Sequence, residues 1–246
     1  MVPIEELPLI KVSTIKNENG CTNIGGIALA SNKKLYAIKT KQDNLMSTIY
    51  TFNDYEKENS YTTKKYTNKL LHGNGLAYGN GLLAIPPCGY SLTTINVNNN
   101  WERIKYRSAY YISAIAYLYN NVWIVRSHDK IMKIKINYND LFFDNSYKVE
   151  NPMAEKGFTV SQDIGYKSGK LYQIYSNESK TKNCIIVSQV LDRKLETIKI
   201  YVSKESKKLY EWESLAIDNN GKIIIAANTA KGDFLYRSKD YVVSMF

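Results

Sequence analysis

Few residues of the kinds that bind metals or form disulfides are present in this sequence. It contains three cysteines, Cys21, Cys88 and Cys184, and two histidines among 246 residues. An odd number of widely spaced cysteines without a Cys-x-x-Cys pair gives no disulfide framework. A Cys/His metal centre also needs more ligands than the chain offers. We therefore expect free cysteines and no cofactor.

Long apolar segments are absent as well. No stretch approaches the roughly 20 consecutive apolar residues of a membrane helix. The first seven residues, Met-Val-Pro-Ile-Glu-Glu-Leu, are acidic and lack the apolar segment of a secretory signal. We expect no membrane span, and a location either in the cytoplasm or outside the cell after release without an ordinary signal.

The charge is unbalanced, with 33 basic and 23 acidic residues and a formal net charge of +10. Lysine-rich turns that keep a sheet protein soluble explain this excess in one way. Attraction to an anionic polymer explains it in another way. Because no helix-turn-helix, zinc-finger or RNA-binding motif is present, we do not expect nucleic acid to be the partner.

Five short pairs of apolar strands recur along the chain. In each pair an apolar strand is followed by a polar turn and a second apolar strand, as in Asn74–Tyr78 and Gly81–Ile85. Aligned on one apolar position, called the anchor below, the pairs are 49, 39, 49 and 51 residues apart. The anchors are Ile27, Leu76, Ile115, Ile164 and Leu215. A period near ~45 residues with about four strands per unit is typical of a β-propeller blade.

The residue after each anchor is small. These residues are Ala28, Ala77, Ala116, Gly165 and Ala216. The innermost strands of a propeller crowd around its axis, so a large side chain there would collide with the next blade. The second strand of each pair instead carries large β-branched or aromatic residues, which fill the space between stacked sheets.

The repeat predicts an all-β protein, a five-bladed β-propeller that forms a single domain over residues 1–246. In blade three we expect a weak outer strand near Tyr147–Glu150, after an irregular turn over 138–146. Blade five lacks an outer strand, and residues 8–15 are the natural candidate for a Velcro closure between the two ends of the chain. Residues 241–245 are an alternative fourth strand. The predicted blades span about 17–70, 71–108, 109–155, 156–208 and 209–246 plus 8–15.

Polar side chains precede the anchors and follow the second strands, where the strands themselves are apolar. In a propeller these positions converge on one rim, which is the default place for a ligand. The alternative is that these groups cap turns and satisfy backbone donors at strand starts. The predicted ligand-binding residues are His72, Asn74, Arg126, His128, Gln162, Asp163 and Glu213. Tyr110, Tyr111 and Trp212 are added as aromatic platforms for a sugar.

Three strand starts resemble motifs of small Gram-positive propeller proteins, and the helveticin J-like bacteriocin family is the nearest group. The motifs are residues 72–78 (HGNGLAY), 162–164 (QDI) and 211–216 (EWESLA). The resemblance implies a propeller that acts at a bacterial surface without enzymatic chemistry. A composition rich in Lys, Asn, Ile and Tyr is typical of an AT-rich genome, such as that of a clostridial bacterium or its phage.

Three functions remain open at this point. The favoured one is non-enzymatic recognition of a glycan or anionic cell-surface polymer by a monomer. A glycoside hydrolase needs two carboxylates around the scissile bond. Asp163 and Glu213 could serve, but Gly25, Asn74 and Ser113 stand at the corresponding places of the early blades. A lactonase-like enzyme would hold calcium on oxygen ligands such as Asn74. A scaffold for protein partners is the third function.

Overall fold

A computed structural model describes residues 2–67, 70, 73–137, 140–191 and 194–241. It confirms the predicted all-β, five-bladed propeller. Within the described residues, the only helical segment is one 3-10 turn, Ala154–Lys156. No helix in this part of the chain is long and apolar enough to cross a membrane.

The strands follow one another with short connections. In chain order they are β1 Ile4–Glu6, β2 Leu9–Ile15, β3 Asn23–Leu29, β4 Leu35–Thr40, β5 Met46–Phe52, β6 Tyr61–Thr67, β7 Ala77–Gly79, β8 Leu82–Ile85, β9 Gly89–Asn96, β10 Glu102–Ile112, β11 Ala114–Tyr119, β12 Val122–Ser127, β13 Lys130–Asn137, β14 Asp140–Lys148, β15 Val160–Lys167, β16 Lys170–Ser176, β17 Asn183–Val190, β18 Leu195–Val202, β19 Tyr210–Ile217, β20 Ile223–Thr229 and β21 Gly232–Ser238.

In each blade four strands form an antiparallel sheet, and the order of the strands proceeds from the axis outward. Blades one to four are β3–β6, β7–β10, β11–β14 and β15–β18. Blade five contains β19, β20 and β21, and β2 completes it by pairing antiparallel with β21, from Leu9 opposite Ser238 to Ile15 opposite Asp233. The predicted Velcro closure is therefore confirmed. The alternative strand at 241–245 falls almost entirely outside the described residues.

Strand β1 is a feature that the sequence analysis missed. It pairs in parallel with β18 at the outer edge of blade four, with Ile4 opposite Ile200. The chain then crosses to blade five, and the backbone amide of Leu7 donates to the carbonyl of Val202 at 2.9 Å. Leu7 is buried in the core between blades four and five. The N-terminal segment thus ties two neighbouring blades together.

The hydrophobic core lies between the blades, as the small residues after the anchors predict. Ala28 packs with Leu76 of the next blade, and Ala77 packs with Ile115. A Cβ added to Gly165 would lie only 2.4 Å from Cδ1 of Leu215. The small side chains therefore make room for the anchor of the following blade.

The innermost strand of blade two is shorter than predicted, because Gly75 bonds to blade one and interrupts the pairing within its own blade. The amide of Gly75 donates to the carbonyl of Gly25 in blade one at 2.6 Å, and the amide of Asn74 donates to Pro86 at 3.0 Å. Gly75 has φ +92°, a conformation that strands do not use. Pairing therefore starts only at Ala77.

The outer strand of blade three lies where an irregular turn was expected. Strand β14 begins at Asp140, because Leu141 and Phe143 alternate inward and pack on the core between blades two and three. This is the period-two pattern of a half-buried strand. Asp140, Asp144 and Asn145 are residue types common in turns, and they obscure this pattern in the sequence.

Candidate functional site

The side of the ring where the innermost strands begin is called the start face here, and it carries the predicted rim. On this face three innermost strands share a β-bulge. The register shifts between Ile24 and Gly26, between Ser161 and Ile164, and between Trp212 and Ser214. A bulge turns a side chain away from the regular pleat. In blades one, four and five the repeat therefore includes not only the apolar positions but also a bulge at the start of the innermost strand.

Asp163 joins three blades beneath the surface. Its side chain accepts hydrogen bonds from the hydroxyl of Ser214 and from the backbone amide of Ile164, the latter at 2.8 Å. The Ser214 hydroxyl oxygen in turn accepts from the amide of Ile27 in blade one at 2.9 Å. Asp163 is only 1% exposed, and burial raises its pKa to about 8 despite these hydrogen bonds. This geometry makes Asp163 a link between blades four, five and one.

Asn74 and Arg126 also bond across blade boundaries. The amide nitrogen of Asn74 donates to the carbonyl of Ser113 at 3.0 Å, which joins blades two and three. The guanidinium of Arg126 donates to the hydroxyl of Tyr175 at 2.9 Å and to the carbonyl of His128 at 3.1 Å. These bonds support the alternative hypothesis, in which both side chains satisfy groups of the protein itself.

Gln162 lies in a compact charged cluster between blades four and five. Its amide donates to Oε1 of Glu211 at 2.6 Å, and Nζ of Lys180 lies 2.8 Å from Oε2 of the same carboxylate. Glu213 is hydrogen-bonded to Glu211, and burial together with this neighbouring carboxylate raises the pKa of Glu213 well above its ordinary value. Two carboxyl groups this close cannot both ionise without a large cost, so the pair holds a proton.

An aromatic patch, defined as Tyr90, Tyr111 and His128, lies on blades two and three of the start face. The rings of Tyr111 and His128 are stacked, with centroids 5.0 Å apart and an interplanar angle of 21°. Tyr90 meets Tyr111 edge-on at 5.8 Å and is 64% exposed. The patch thus offers aromatic surface to the solvent on the face that was predicted to bind a ligand.

A long interruption of strand β10 builds this patch. Arg107 pairs with Ser91, but the next pair joins Ile112 to Gly89, so residues 108–111 leave the ladder. The Ser108 hydroxyl donates to the carbonyl of Tyr110 at 2.6 Å and accepts from its amide at 3.0 Å, which fixes the excursion. Tyr111 is thereby free to reach the half-buried thiol of Cys88, whose pKa is raised by burial.

A groove of about 490 Å³ continues from the patch along the outer part of blade two. Tyr90 lines this groove together with Lys105 and Arg107 of β10. Both basic side chains are exposed, while Tyr106 between them is buried. The groove therefore joins an aromatic surface to two cations.

The cavity on the axis opens on the other side of the ring. It has a volume of about 300 Å³ and runs from the anchors to the turns that follow the innermost strands. The residue two positions after each anchor surrounds it: Leu29, Tyr78, Tyr117, Tyr166 and Ile217. Ser31, in the turn after the innermost strand of blade one, also lines this cavity. None of the predicted polar rim residues that the structure describes lines it.

The structure thus separates the predicted site residues into several groups. His72 lies outside the described residues. Asn74, Arg126, Gln162 and Asp163 have the internal partners given above, whereas His128 is exposed and Glu213 is partly exposed. Trp212, proposed as a sugar platform, is fully buried in the core. The prediction that Trp212 forms a platform is therefore wrong, because its indole points into the core beside the bulge at Glu213.

Sequence reasoning missed Tyr90, Lys105 and Arg107 as parts of the site. A usable signal for Tyr90 was its place directly after the turn Pro86-Pro87-Cys88-Gly89, on the rim. Alternation along β10 could have placed Lys105 and Arg107 on one exposed face. Among the described residues, no cluster of three or more His, Cys, Asp or Glu side chains is arranged to hold a metal ion.

Comparisons with known proteins show similarity in fold. No family model and no curated protein matches the chain. The crystal structure of Myxococcus xanthus glutaminyl cyclase superposes with a TM-score of 0.64 at 11% identity, over 98% of this chain and 100% of that one. The WD40 β-propeller domain of Doa1 superposes with a TM-score of 0.54 at 8% identity, over 95% and 98% of the two chains. At these identities the similarity establishes that the chain has a β-propeller fold.

Proposed function

We propose that this protein is a non-enzymatic recognition module that binds a glycan on its start face. The observation that carries the proposal is the aromatic patch, in which Tyr111 stacks on His128 and Tyr90 stands exposed beside them. Sugar rings present apolar C–H faces that pack on aromatic rings, and their hydroxyl groups bond to nearby polar side chains. Both kinds of contact are available here.

The resemblance of residues 72–78, 162–164 and 211–216 to helveticin J-like bacteriocins adds a context to this proposal. In this proposal the glycan belongs to the surface of a Gram-positive cell, and the protein is bacteriocin- or phage-related. The protein is proposed to act as a monomer. Binding to intact cells or to purified cell-wall polysaccharide is the direct test of this context.

The test of the glycan site compares tyrosines on different parts of the ring. Tyr111→Ala and Tyr90→Ala should each weaken binding to a glycan array or cell-wall preparation by roughly tenfold or more, because each removes a stacking surface. Tyr119→Ala is the matched control, since Tyr119 is 54% exposed at the far end of its strand. Equal affinity of wild type and the Tyr111 variant would contradict the proposal.

Acid–base catalysis is a second candidate, favoured by the Glu211–Glu213 pair beside Lys180. A glycosidase of the expected kind is poorly served by this geometry. Asp163 is buried, and Glu211 and Glu213 touch each other, whereas glycosidase carboxylates are separated by about 5–9.5 Å. Aryl glycosides, cell-wall polysaccharides and lactones form a suitable panel. Turnover that Glu213→Gln abolishes would favour an enzyme.

A scaffold for protein partners is the third candidate. Phe142 is 53% exposed on the outer strand of blade three, and the ring of its neighbour Phe143 contacts Tyr110, which is 44% exposed. Exposed aromatic residues are typical of protein interfaces. A protein partner lost on Phe142→Ala, but retained on Tyr111→Ala, would favour this function over glycan binding.

A further inference from the structure

We infer that the glycan bound at the start face is acidic, and that Lys105 and Arg107 hold its anionic group while the aromatic patch holds a sugar ring. The inference rests on the proposed function and names the ligand class of the same site. The shared chemistry is a saccharide that carries carboxylate, sulfate or phosphate groups.

The first step concerns the placement of the two cations. Lys105 and Arg107 pair opposite Thr93 and Ser91, and both point to the exposed face of β10. Residues two apart on a strand are separated by about 7 Å. One anionic group, or two on neighbouring sugar units, can therefore contact both side chains. An arginine also offers paired donors that match a carboxylate, sulfate or phosphate.

The second step is that these cations have no partner of opposite charge. Within the part of the chain that the structure describes, neither side chain is in an ion pair. Lys180 and Lys182 of the start face differ, since Lys180 pairs with Glu211 and Lys182 with Glu205. The groove is thus a place where the positive charge of the protein is available to a ligand.

The third step is the continuity of the groove with the aromatic patch. Lys105 and Arg107 share a face of blade two with Thr93 and Ser91, and Tyr90 at the rim both lines the groove and meets Tyr111 at 5.8 Å. A ligand that crosses the rim at Tyr90 can therefore touch the cations and the rings together. A neutral glycan would leave Lys105 and Arg107 unused. Single-stranded nucleic acid combines anions with stacking too, but it needs a basic groove that follows several phosphates. Two cations favour a short acidic saccharide.

The experiment measures affinity by calorimetry or biolayer interferometry for four probes and, in addition, for oligo(dT). The acidic probes are a sulfated heparin oligosaccharide, an oligogalacturonate and a glycerol-phosphate polymer; the neutral probe is a chitin oligosaccharide. We expect the wild type to bind at least one acidic probe more tightly than the neutral one. The Lys105→Ala/Arg107→Ala double variant should lose roughly tenfold or more, as expected from losing charge-assisted hydrogen bonds.

The matched control is Lys207→Ala/Lys208→Ala. It removes the same charge from exposed lysines of the start face that are remote from the groove, just before blade five. It should change affinity by no more than about twofold, as is usual for isolated surface charges. Equal losses in both double variants would overturn the groove as the site. Unchanged melting temperatures check that all variants remain folded.

The remaining outcomes separate this inference from the proposed function. If the neutral probe binds as tightly as the acidic ones and still depends on Tyr111, the acidic ligand is wrong and glycan recognition stands. If no saccharide responds to Tyr111→Ala, the proposed function fails as well. If oligo(dT) binds more tightly than every saccharide, nucleic acid replaces the acidic glycan as the ligand. Oligogalacturonate carries carboxylates alone and the glycerol-phosphate polymer carries phosphates alone, so binding of the heparin oligosaccharide without binding of these two indicates sulfate.

Discussion

At the residue scale, Asp163 combines two properties that usually exclude each other. It is 1% exposed, yet it carries an ionisable group whose hydrogen bonds tie three blades together. A buried carboxyl group avoids the cost of desolvating its charge by keeping its proton. The same residue that the sequence marks as a ligand contact therefore acts inside the protein as a neutral hydrogen-bonding link.

The pH dependence of stability tests this state of Asp163. Burial raises the folded-state pKa from 3.8 to about 8. Above pH 4 the unfolded chain has lost this proton and the folded protein keeps it. Stability should therefore be greatest below pH 4 and fall as pH rises to about 8, by up to about 1.4 kcal/mol per pH unit from this group. Urea unfolding of wild type at several pH values measures the slope.

Two variants isolate the contribution of Asp163 from that of the other carboxyl groups. Asp163→Asn keeps a neutral side chain that can bond to Ser214 but does not titrate, so its stability should decline less steeply between pH 4 and pH 8. Asp144→Asn, which removes an exposed carboxylate on blade three, should keep the wild-type slope. Parallel curves for wild type and Asp163→Asn would show that Asp163 is ionised in the folded protein.

At the element scale, the repeat predicted the innermost strands because both of its features come from packing that recurs at every blade. The small residue after each anchor faces the next anchor, so the same constraint shapes the sequence five times. Elements that depend on one blade alone were harder to predict. Strand β1 is three residues long and pairs with β18, which is almost 200 residues away, so no local pattern marks it.

For the site as well, the features that recur in every blade were predictable and those of a single blade were not. Convergence of polar strand starts on one face follows from the topology, and the structure places Asn74, Arg126, Gln162 and Asp163 there. Their partners depend on tertiary contacts between blades, such as Arg126 with Tyr175, which no spacing in the sequence shows. The aromatic patch depends on the excursion of residues 108–111 from β10, and an interruption of the ladder leaves only a weak signal in the sequence.

Leu7 tests whether the N-terminal segment stabilises the ring. The side chain is 4% exposed and packs between blades four and five, so Leu7→Ala should lower the free energy of unfolding by about 2–4 kcal/mol through the cavity it leaves. Ile4→Ala is the control, because Ile4 on the same segment is 45% exposed. It should change stability by less than about 0.5 kcal/mol. Urea unfolding measures both, and equal small effects would mean that the segment contributes little.

At the scale of the whole molecule, the fold places the groove with its aromatic patch and the axial cavity on opposite sides of one ring. Hydrogen bonds and apolar contacts link successive blades, and β2 closes the circle. The start face has aromatic rings with free cations, and the axial cavity opens on the other side. The protein as a whole carries a formal net charge of +10. The proposed binding of an acidic ligand would therefore have a local contribution from the groove and a diffuse one from the whole surface.

Salt dependence separates these two contributions. The Debye length falls from about 10 Å at 0.1 M salt to about 3 Å at 1 M, so diffuse attraction disappears while direct contacts and stacking persist in part. Between about 0.05 M and 0.5 M NaCl, wild type should lose affinity for an acidic saccharide but still bind more tightly than Tyr111→Ala, since stacking does not depend on screening. Lys105→Ala/Arg107→Ala should lose less affinity with salt than wild type, because fewer charges contact the ligand. If wild type and both variants instead lose affinity in parallel and reach no binding, the overall charge of the ring determines recognition and the groove does not.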